Sequence, residues 1–576
     1  MKWADAGSYA YEEGSLFLGK SFSQSVIASS TLGKRAVKGS DFMDIGIKTE
    51  RHALTIAGAG AGKGVAVIIP NLLKWPHNAL VIDPKGEAAE ATAEARENMG
   101  QAVHVLDPFA SSKVPDRFRA SYNPLDEINP DGLTVREDIE TISDGIVMRG
   151  DASASHWDDG AQSVISGLIA FVISTMDEGE RNLIQVRKIL MDEDRLADAM
   201  QKMKTMDECA GLCRESYSAI MAKEGGYFVS NAQKNTKWLD SRGMAVALAT
   251  SSFSLSDLKT EKASVFLVLP ANYLGQHGRF LRLFVRCGIE AMAKKTPSGD
   301  LRQEQCLFLL DEFFSLGYID EISKASGLMR GYGLQLWPIL QDLGQLITLY
   351  GREGSETFFA NADVHQFFGN TDQLTLEQIS TRLGVKDMNE VPLPPPAPSG
   401  FQSGLGQGLS GMAAQSKRGS YKVTGGLIGG AISLAENAAS TASQQQYQNA
   451  MNIYQRGMAE HGRPRITPDE VAQMIQKKED VVADGMICFV FGREPLLVAP
   501  APYFRENETP DETPETEAEP DHKNSLMTDV LLWVFLTVVM AGLFALVGMA
   551  GFMETLPLSA IISGILIALD KKYGFL

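Results

Sequence analysis

Apolar runs recur early in the chain at intervals that suit alternating strands and helices. "HALTIA" (His52 to Ala57) reads as a strand. "GVAVIIPNLL" (Gly64 to Leu73) reads as a buried helix that follows alternating glycines and alanines. "NALVIDPKGE" (Asn78 to Glu87) is a second apolar run, ending in Asp83, and "QAVHVLDPF" (Gln101 to Phe109) is a third, ending in Asp107. Between those two, "AAEATAEAREN" is a helix former with exposed charges. Strand, helix, strand, helix, strand predicts a parallel sheet with right-handed crossovers. Ligands on such sheets collect at the carboxyl ends of the strands. Far downstream, "CLFLLDEF" (Cys306 to Phe314) is a continuous apolar run closed by two acids. It predicts a buried central strand that delivers Asp311 and Glu312 to the same edge.

Other stretches follow different patterns. Residues 1–50 hold no adequate apolar run and no signal-peptide pattern. Residues 136–258 read as helical: "HWDDGAQSVISGLIAFVIST" has a broad apolar face, and "NLIQVRKILMDEDRLADAMQKM" repeats with a period near 3.6. After "VPLPPPAPSG", residues 397–460 are rich in Gly, Ser, Ala and Gln and bury little, which predicts a mobile surface insertion. Order returns over 461–504, where Thr467, Pro468 and Glu470 make a helix start with a capping box, and "GMICFVFGREPLLVAPAPYF" reads as a strand pair. Residues 505–528 are acidic and proline-punctuated, a self-repelling spacer. Residues 529–576 then turn apolar. The run 530–552 is long enough to cross a bilayer core of ~30 Å, and 556–569 is shorter. A helical hairpin would keep Lys523, Lys571 and Lys572 on one side, as the positive-inside bias prefers; a re-entrant second segment is the other arrangement.

Candidate chemistry centres on Gly58, Ala59, Gly60, Ala61, Gly62, Lys63, Gly64 and Val65. Small residues let several backbone N–H groups approach one anion, and the following helix adds its positive end. Against the pattern G-x-x-x-x-G-K-[ST] the loop departs twice, at Ala57 and at Gly64. A strand-to-helix turn without ligand would use the same small residues. The acidic strand favours nucleoside triphosphate hydrolysis instead. Lys63 would reach the β- and γ-phosphates, Asp311 would hold Mg2+ directly or through water, and Glu312 would orient and deprotonate the attacking water. Because Mg2+ keeps several waters, Asp311 and solvent can complete its shell without the missing hydroxyl.

These motifs, with "YNPLDEI" (Tyr122 to Ile128), "SLSDLKTEKASVFLVLP" (Ser254 to Pro270), "RGYGLQLWPILQDLGQL" and "NADVHQFFGNTD", resemble the VirD4/TraG family of type IV secretion coupling proteins. The matches run in order from Ala53 to about Tyr503. The resemblance implies an α/β, RecA-like P-loop motor: a first part at 51–135, an inserted all-α domain at 136–258 and a second part at 259–396. It implies ATP and Mg2+, a homo-hexameric ring, a type IV secretion channel as partner, and DNA–relaxase complexes or secreted proteins as cargo. By the same resemblance Gly64 is ordinary at its position, Gln341 is the γ-phosphate-sensing residue and Arg330 a candidate arginine finger. Relatives usually carry an N-terminal anchor. Here a C-terminal transmembrane hairpin would hold the motor on the cytoplasmic face of a bacterial inner membrane.

Charge refines this picture. A net charge of -18 gives no long-range attraction for nucleic acid, so DNA contacts need local basic patches. Lys234 and Lys237, or Arg279, Arg282 and Arg286, are possible contributors; a solvated face is the plainer reading. Five cysteines fit a reducing compartment, with Cys209 and Cys213 spaced for one helix face. Three functions remain open: a conjugative coupling ATPase, a coupling protein for secreted effectors, and a nucleotide-binding recruitment platform with little hydrolysis.

Overall fold

The central strands are apolar on both faces, so the sheet must be covered on both sides. In the computed structural model, β1 (Leu16–Ser21), β2 (Asp44–Ile47), β3 (His52–Ala57), β4 (Asn78–Asp83), β5 (Ala102–Leu106), β6 (Ala263–Val268), β7 (Cys306–Leu310), β8 (Leu334–Leu340), β9 (Ala362–Phe368), β10 (Met486–Val490) and β11 (Leu496–Ala499) form one 11-stranded sheet. Its order is β2-β1-β11-β10-β9-β3-β8-β7-β4-β6-β5. The strands from β9 to β5 run parallel, and the β2-β1-β11-β10 side is antiparallel. Every residue of β3, β4, β6, β7 and β8 is buried. The structure describes residues 3–21, 43–148, 155–294, 304–386, 445, 448–456, 458–459, 462–476 and 483–505. All of these belong to the unit Met1–Glu506; the second unit, Asn507–Leu576, lies outside them.

Two features of the order differ from the local pattern. Strands β3 and β4 are not neighbours, because β8 and β7 lie between them. The N-terminal segment also supplies two strands: Lys20 pairs with Ala499, and β2 covers β1.

The glycine loop after β3 opens into a π-helical turn, Gly64–Ile68, that continues as α1 (Ile69–Lys74). Helix α2 (Glu87–Asn98) follows β4. Pro76 has no N–H to give the Leu72 carbonyl, so α1 would end with an unmet acceptor. Arg96 of α2 fills the gap. Its fully buried guanidinium donates to the carbonyls of Leu72 (2.7 Å), Trp75 (3.1 Å) and His77 (2.6 Å). Burial pulls its pKa down to about 10.

Between β5 and β6 the described residues are helical: α3 (Val135–Ile146), α4 (Ser155–Thr175), α5 (Leu183–Met191), α6 (Glu193–Met203), α7 (Leu212–Met221), α8 (Gly225–Thr236), α9 (Arg242–Ala247) and α10 (Asp257–Thr260). Helix α4 is central. A Cβ at Gly167 would come 2.0 Å from the Cβ of Ser216 on α7, so glycine lets these helices touch. The "NLIQVRKILMDEDRLADAMQKM" run is two helices, broken at Asp192, whose side chain caps α6 by accepting from the Arg195 N–H. Cys209 and Cys213 do not share a helix: Cys209 lies in a separate turn, Cys209–Gly211, and both thiols are buried. Further helices are α11 (Ala271–Ala293), α12 (Asp320–Leu328), α13 (Leu343–Asn361), α14 (Gln373–Leu383) and α15 (Pro468–Ile475). Thr467 and Glu470 form the capping box of α15.

The expected C-terminal transmembrane hairpin, and with it anchoring at an inner membrane, is corrected. Among the described residues no helix is long and apolar enough to cross a membrane. The long helices show why: α4 (21 residues) carries Asp158 and Asp159 near its start, and α11 (23 residues) carries Arg279, Arg282, Arg286 and Glu290. The runs 530–552 and 556–569, the spacer from 506 and most of the 397–460 insertion lie outside the described residues. Among the described residues the fold is therefore an α/β P-loop architecture with a helical insert, and no helix there spans a membrane.

Arg96→Met keeps the bulk but strips the Leu72 and Trp75 carbonyls of their donor. It should lower the unfolding free energy by about 3 kcal/mol, read from urea midpoints. An unchanged midpoint would show that the guanidinium contributes nothing net.

Candidate functional site

Three strand ends meet at one edge. The loop 58–65 follows β3, Gln341 follows β8, and Asp311 and Glu312 follow β7; β8 sits between β3 and β7. This order brings together residues far apart in the chain. Lys63 Nζ lies 3.7 Å from Asp311 Oδ1 and 3.5 Å from Glu312 Oε1. Gln341 Nε2 donates to both Glu312 oxygens at 3.2 Å. The backbone of Glu312 is left-handed (φ 50°, ψ 42°), a conformation that non-glycine residues seldom adopt and that clusters at functional sites.

The loop is built by close backbone approach. Gly60 (φ +69°) and Gly62 (φ +91°) take the left-handed turns. Gly58 N–H donates to the Phe368 carbonyl at 3.1 Å, and a Cβ at Gly58 would fall 1.8 Å from the Gly369 oxygen. Ala59 and Gly60 crest the loop in solvent, Ala61 is buried, and Gly62, Lys63, Gly64 and Val65 are half-buried. At Gly64 a Cβ would meet nothing within 4 Å, so crowding does not explain the absence of a hydroxyl residue there.

Asp311 combines enclosure with charge. Its Oδ1 is buried and accepts no hydrogen bond among the described residues. Burial pushes its carboxyl pKa up, while Lys63 opposes the shift. An enclosed carboxylate oxygen faced by the Lys63 ammonium at 3.7 Å fits a hard cation such as Mg2+, which takes one or two carboxylates and completes its shell with phosphate oxygens and water. Asp83 lies on β4, the neighbour of β7. It is buried, accepts from the Ala89 N–H at 2.8 Å, and is pushed up to about 6 by burial, with Asp311 adding to the rise.

Other candidates lie elsewhere. Lys85 is exposed and pairs with Glu87 at 3.8 Å, a contact worth little in solvent. Asp107 accepts from the N–H groups of Ser111 and Ser112, which makes it a turn residue. Arg330 lies in the turn Met329–Tyr332 that enters β8, at the opposite end of the strand from Gln341; its side chain lies outside the described atoms. The three arginines of α11 face protein. Arg279 donates to Asn235, Arg282 to the Leu316 and Tyr318 carbonyls, and Arg286 pairs with Asp144, Glu290 and Glu321. Sequence reasoning gave no role to Asn370, whose side chain bonds the Gln341 carbonyl; its only signal was a polar residue just after an apolar strand.

Strand order, glycine loop and acidic strand end define a P-loop α/β protein of RecA-like fold with a helical insert. A family model described as type IV secretory system conjugative DNA transfer matches residues 12–391, more than half of the chain, and the chain belongs to that family. It is 32% identical over 344 residues to the conjugal transfer protein TraG of Rhizobium radiobacter, covering 58% of this chain and 52% of that protein. It is 28% identical over 349 residues to the type IV secretion system-coupling protein VirD4 of Bartonella quintana, covering 58% and 53%. The chain thus spans about half the length of the curated relatives it matches. In fold it is similar to the plasmid coupling protein TrwB in complex with ADP and Mg2+, with a TM-score of 0.51, 14% identity, and coverage of 87% of this chain and 97% of that one.

The pKa of Asp83 yields a pH signature. An ordinary aspartate titrates near 3.8, so in the folded state Asp83 holds its proton more tightly. Its ionised form therefore costs stability above pH 6, and the cost is relieved as pH falls. Asp83→Asn should stabilise the protein at pH 7.5 by up to roughly 3 kcal/mol, an advantage that shrinks toward pH 5. A melting-temperature difference that stays flat between pH 7.5 and 5 would contradict this.

Proposed function

We propose that the chain hydrolyses ATP at the Lys63, Asp311, Glu312 and Gln341 edge and uses the energy to drive conjugative DNA transfer, as a coupling protein for a type IV secretion channel. The observation that carries the chemical part is the approach of Lys63 to both acids across a sequence separation of 249 residues from Glu312. Family membership and the names of the TraG, VirD4 and TrwB relatives support the transport part.

Each residue has a defined task in this reading. The amides of 58–65 and the ammonium of Lys63, which lies beside both carboxylates, would hold the triphosphate. Asp311 would hold Mg2+, whose charge would offset that of the phosphate oxygens. Glu312 accepts a proton from the attacking water. Gln341 clamps both Glu312 oxygens and ties the position of that base to the end of β8. In this reading Arg330, whose turn enters β8 at the end opposite Gln341, would act from a neighbouring copy in a homo-hexameric ring. The cargo is DNA carried with its relaxase.

Steady-state ATP turnover tests the assignment. Lys63→Ala and Glu312→Gln should each lower kcat by at least about 100-fold. Turnover unchanged in both variants would refute it. In the same assay, equal mixtures of Lys63→Ala and Arg330→Ala chains should recover turnover that neither shows alone. No recovery would remove Arg330 from the site.

A further inference from the structure

Residue Asn370 stands where the phosphate loop and the Gln341 strand come together. The residue is only 1% exposed. It follows Phe368 and Gly369 at the end of β9, and both of those touch the loop. Phe368 accepts from Gly58 N–H, and Gly369 (φ +63°) has no room for a side chain, because a Cβ there would lie 2.3 Å from that of Ala61. Strands β9 and β8 flank β3 without bonding to each other. Asn370 spans this gap. Its Nδ2 donates to the Gln341 carbonyl at 3.2 Å, beneath the loop that leaves β3. Gln341 in turn holds both oxygens of Glu312. The Oδ1 of Asn370 is enclosed and has no hydrogen-bond partner among the described residues. A buried polar atom left unmet carries a cost that a residue serving packing alone would avoid.

We infer that Asn370 is a positioning residue: it fixes the Gln341 carbonyl, and through Gln341 the Glu312 carboxylate, against the phosphate loop. The inference rests on the ATP-hydrolysis reading above. It assigns Asn370 no contact with nucleotide. Its loss should therefore appear in the rate of the chemical step and not in nucleotide affinity, and only while Gln341 is present to transmit it.

The test is a double-mutant cycle on the full chain, with mant-ATP binding and steady-state turnover as readouts. Asn370→Ala should lower kcat about tenfold while the mant-ATP Kd stays within about threefold. In a Gln341→Ala background the same substitution should lower kcat by less than about twofold. Asn370→Asp, which keeps the shape but loses the N–H donor, should repeat this behaviour and serves if the alanine variant folds poorly. Multiplicative losses in kcat, or a kcat unchanged by both Asn370 variants, would overturn the inference. Glu312→Gln run alongside separates the two ideas. If it abolishes turnover while Asn370 and Gln341 act independently, only the positioning role falls. If it leaves turnover intact, the hydrolysis reading falls and takes this inference with it.

Discussion

One ammonium faces two carboxylates at the carboxyl edge of a parallel sheet, and those carboxylates sit beside a further buried aspartate. Lys63 offsets part of the charge, but Asp311 and Asp83 both still have raised pKa values. Crowding acids in an enclosed place destabilises a fold unless positive charge arrives. In the proposed reading the loop amides and Lys63 would hold the triphosphate, and Asp311 would hold the divalent cation. On that reading the crowded charges of this edge meet the electrostatic requirement of a phosphoryl-transfer site.

Strand order makes this crowding possible. Placing β8 between β3 and β7 sets Gln341 between the phosphate loop and the acidic pair. Buried polar bonds fix the register beneath it. Trp337 Nε1 donates to Thr55 Oγ1, and Thr55 Oγ1 donates to Gln366 Oε1, each at 2.8 Å, a rung across β8, β3 and β9. In so apolar a sheet, slippage would leave these groups unmet, so the rung holds the strand ends level. The same order joins the site to the helical insert through α11. There Arg282 holds the carbonyls of Leu316 and Tyr318, just beyond the Glu312 turn, while Arg286 reaches Asp144 on α3.

Much of the site could be read from sequence because its chemistry is local. Gly60 and Gly62 take backbone angles that favour glycine, and the acids end a strand whose apolar run shows its burial. What the sequence hid was set by distant contacts. The insertion of β7 and β8 between β3 and β4 depends on packing across the sheet, and the pairing of β1 with β11 joins residues nearly 500 positions apart. The arginines of α11 looked solvent-facing because their spacing matches a charged helix face, yet that face packs against the Glu312 turn, α3 and α12. The break at Asp192 was masked by a periodicity that continues on both sides of it.

The most direct test of the central claim is a crystal structure grown with Mn2+ and a non-hydrolysable ATP analogue, with the metal located by its anomalous scattering. The account predicts the metal bonded to the Asp311 carboxylate directly or through one water, and the triphosphate on the amides of residues 58–65 beside Lys63. A metal bound away from Asp311, or a nucleotide seated on another edge of the sheet, would contradict it.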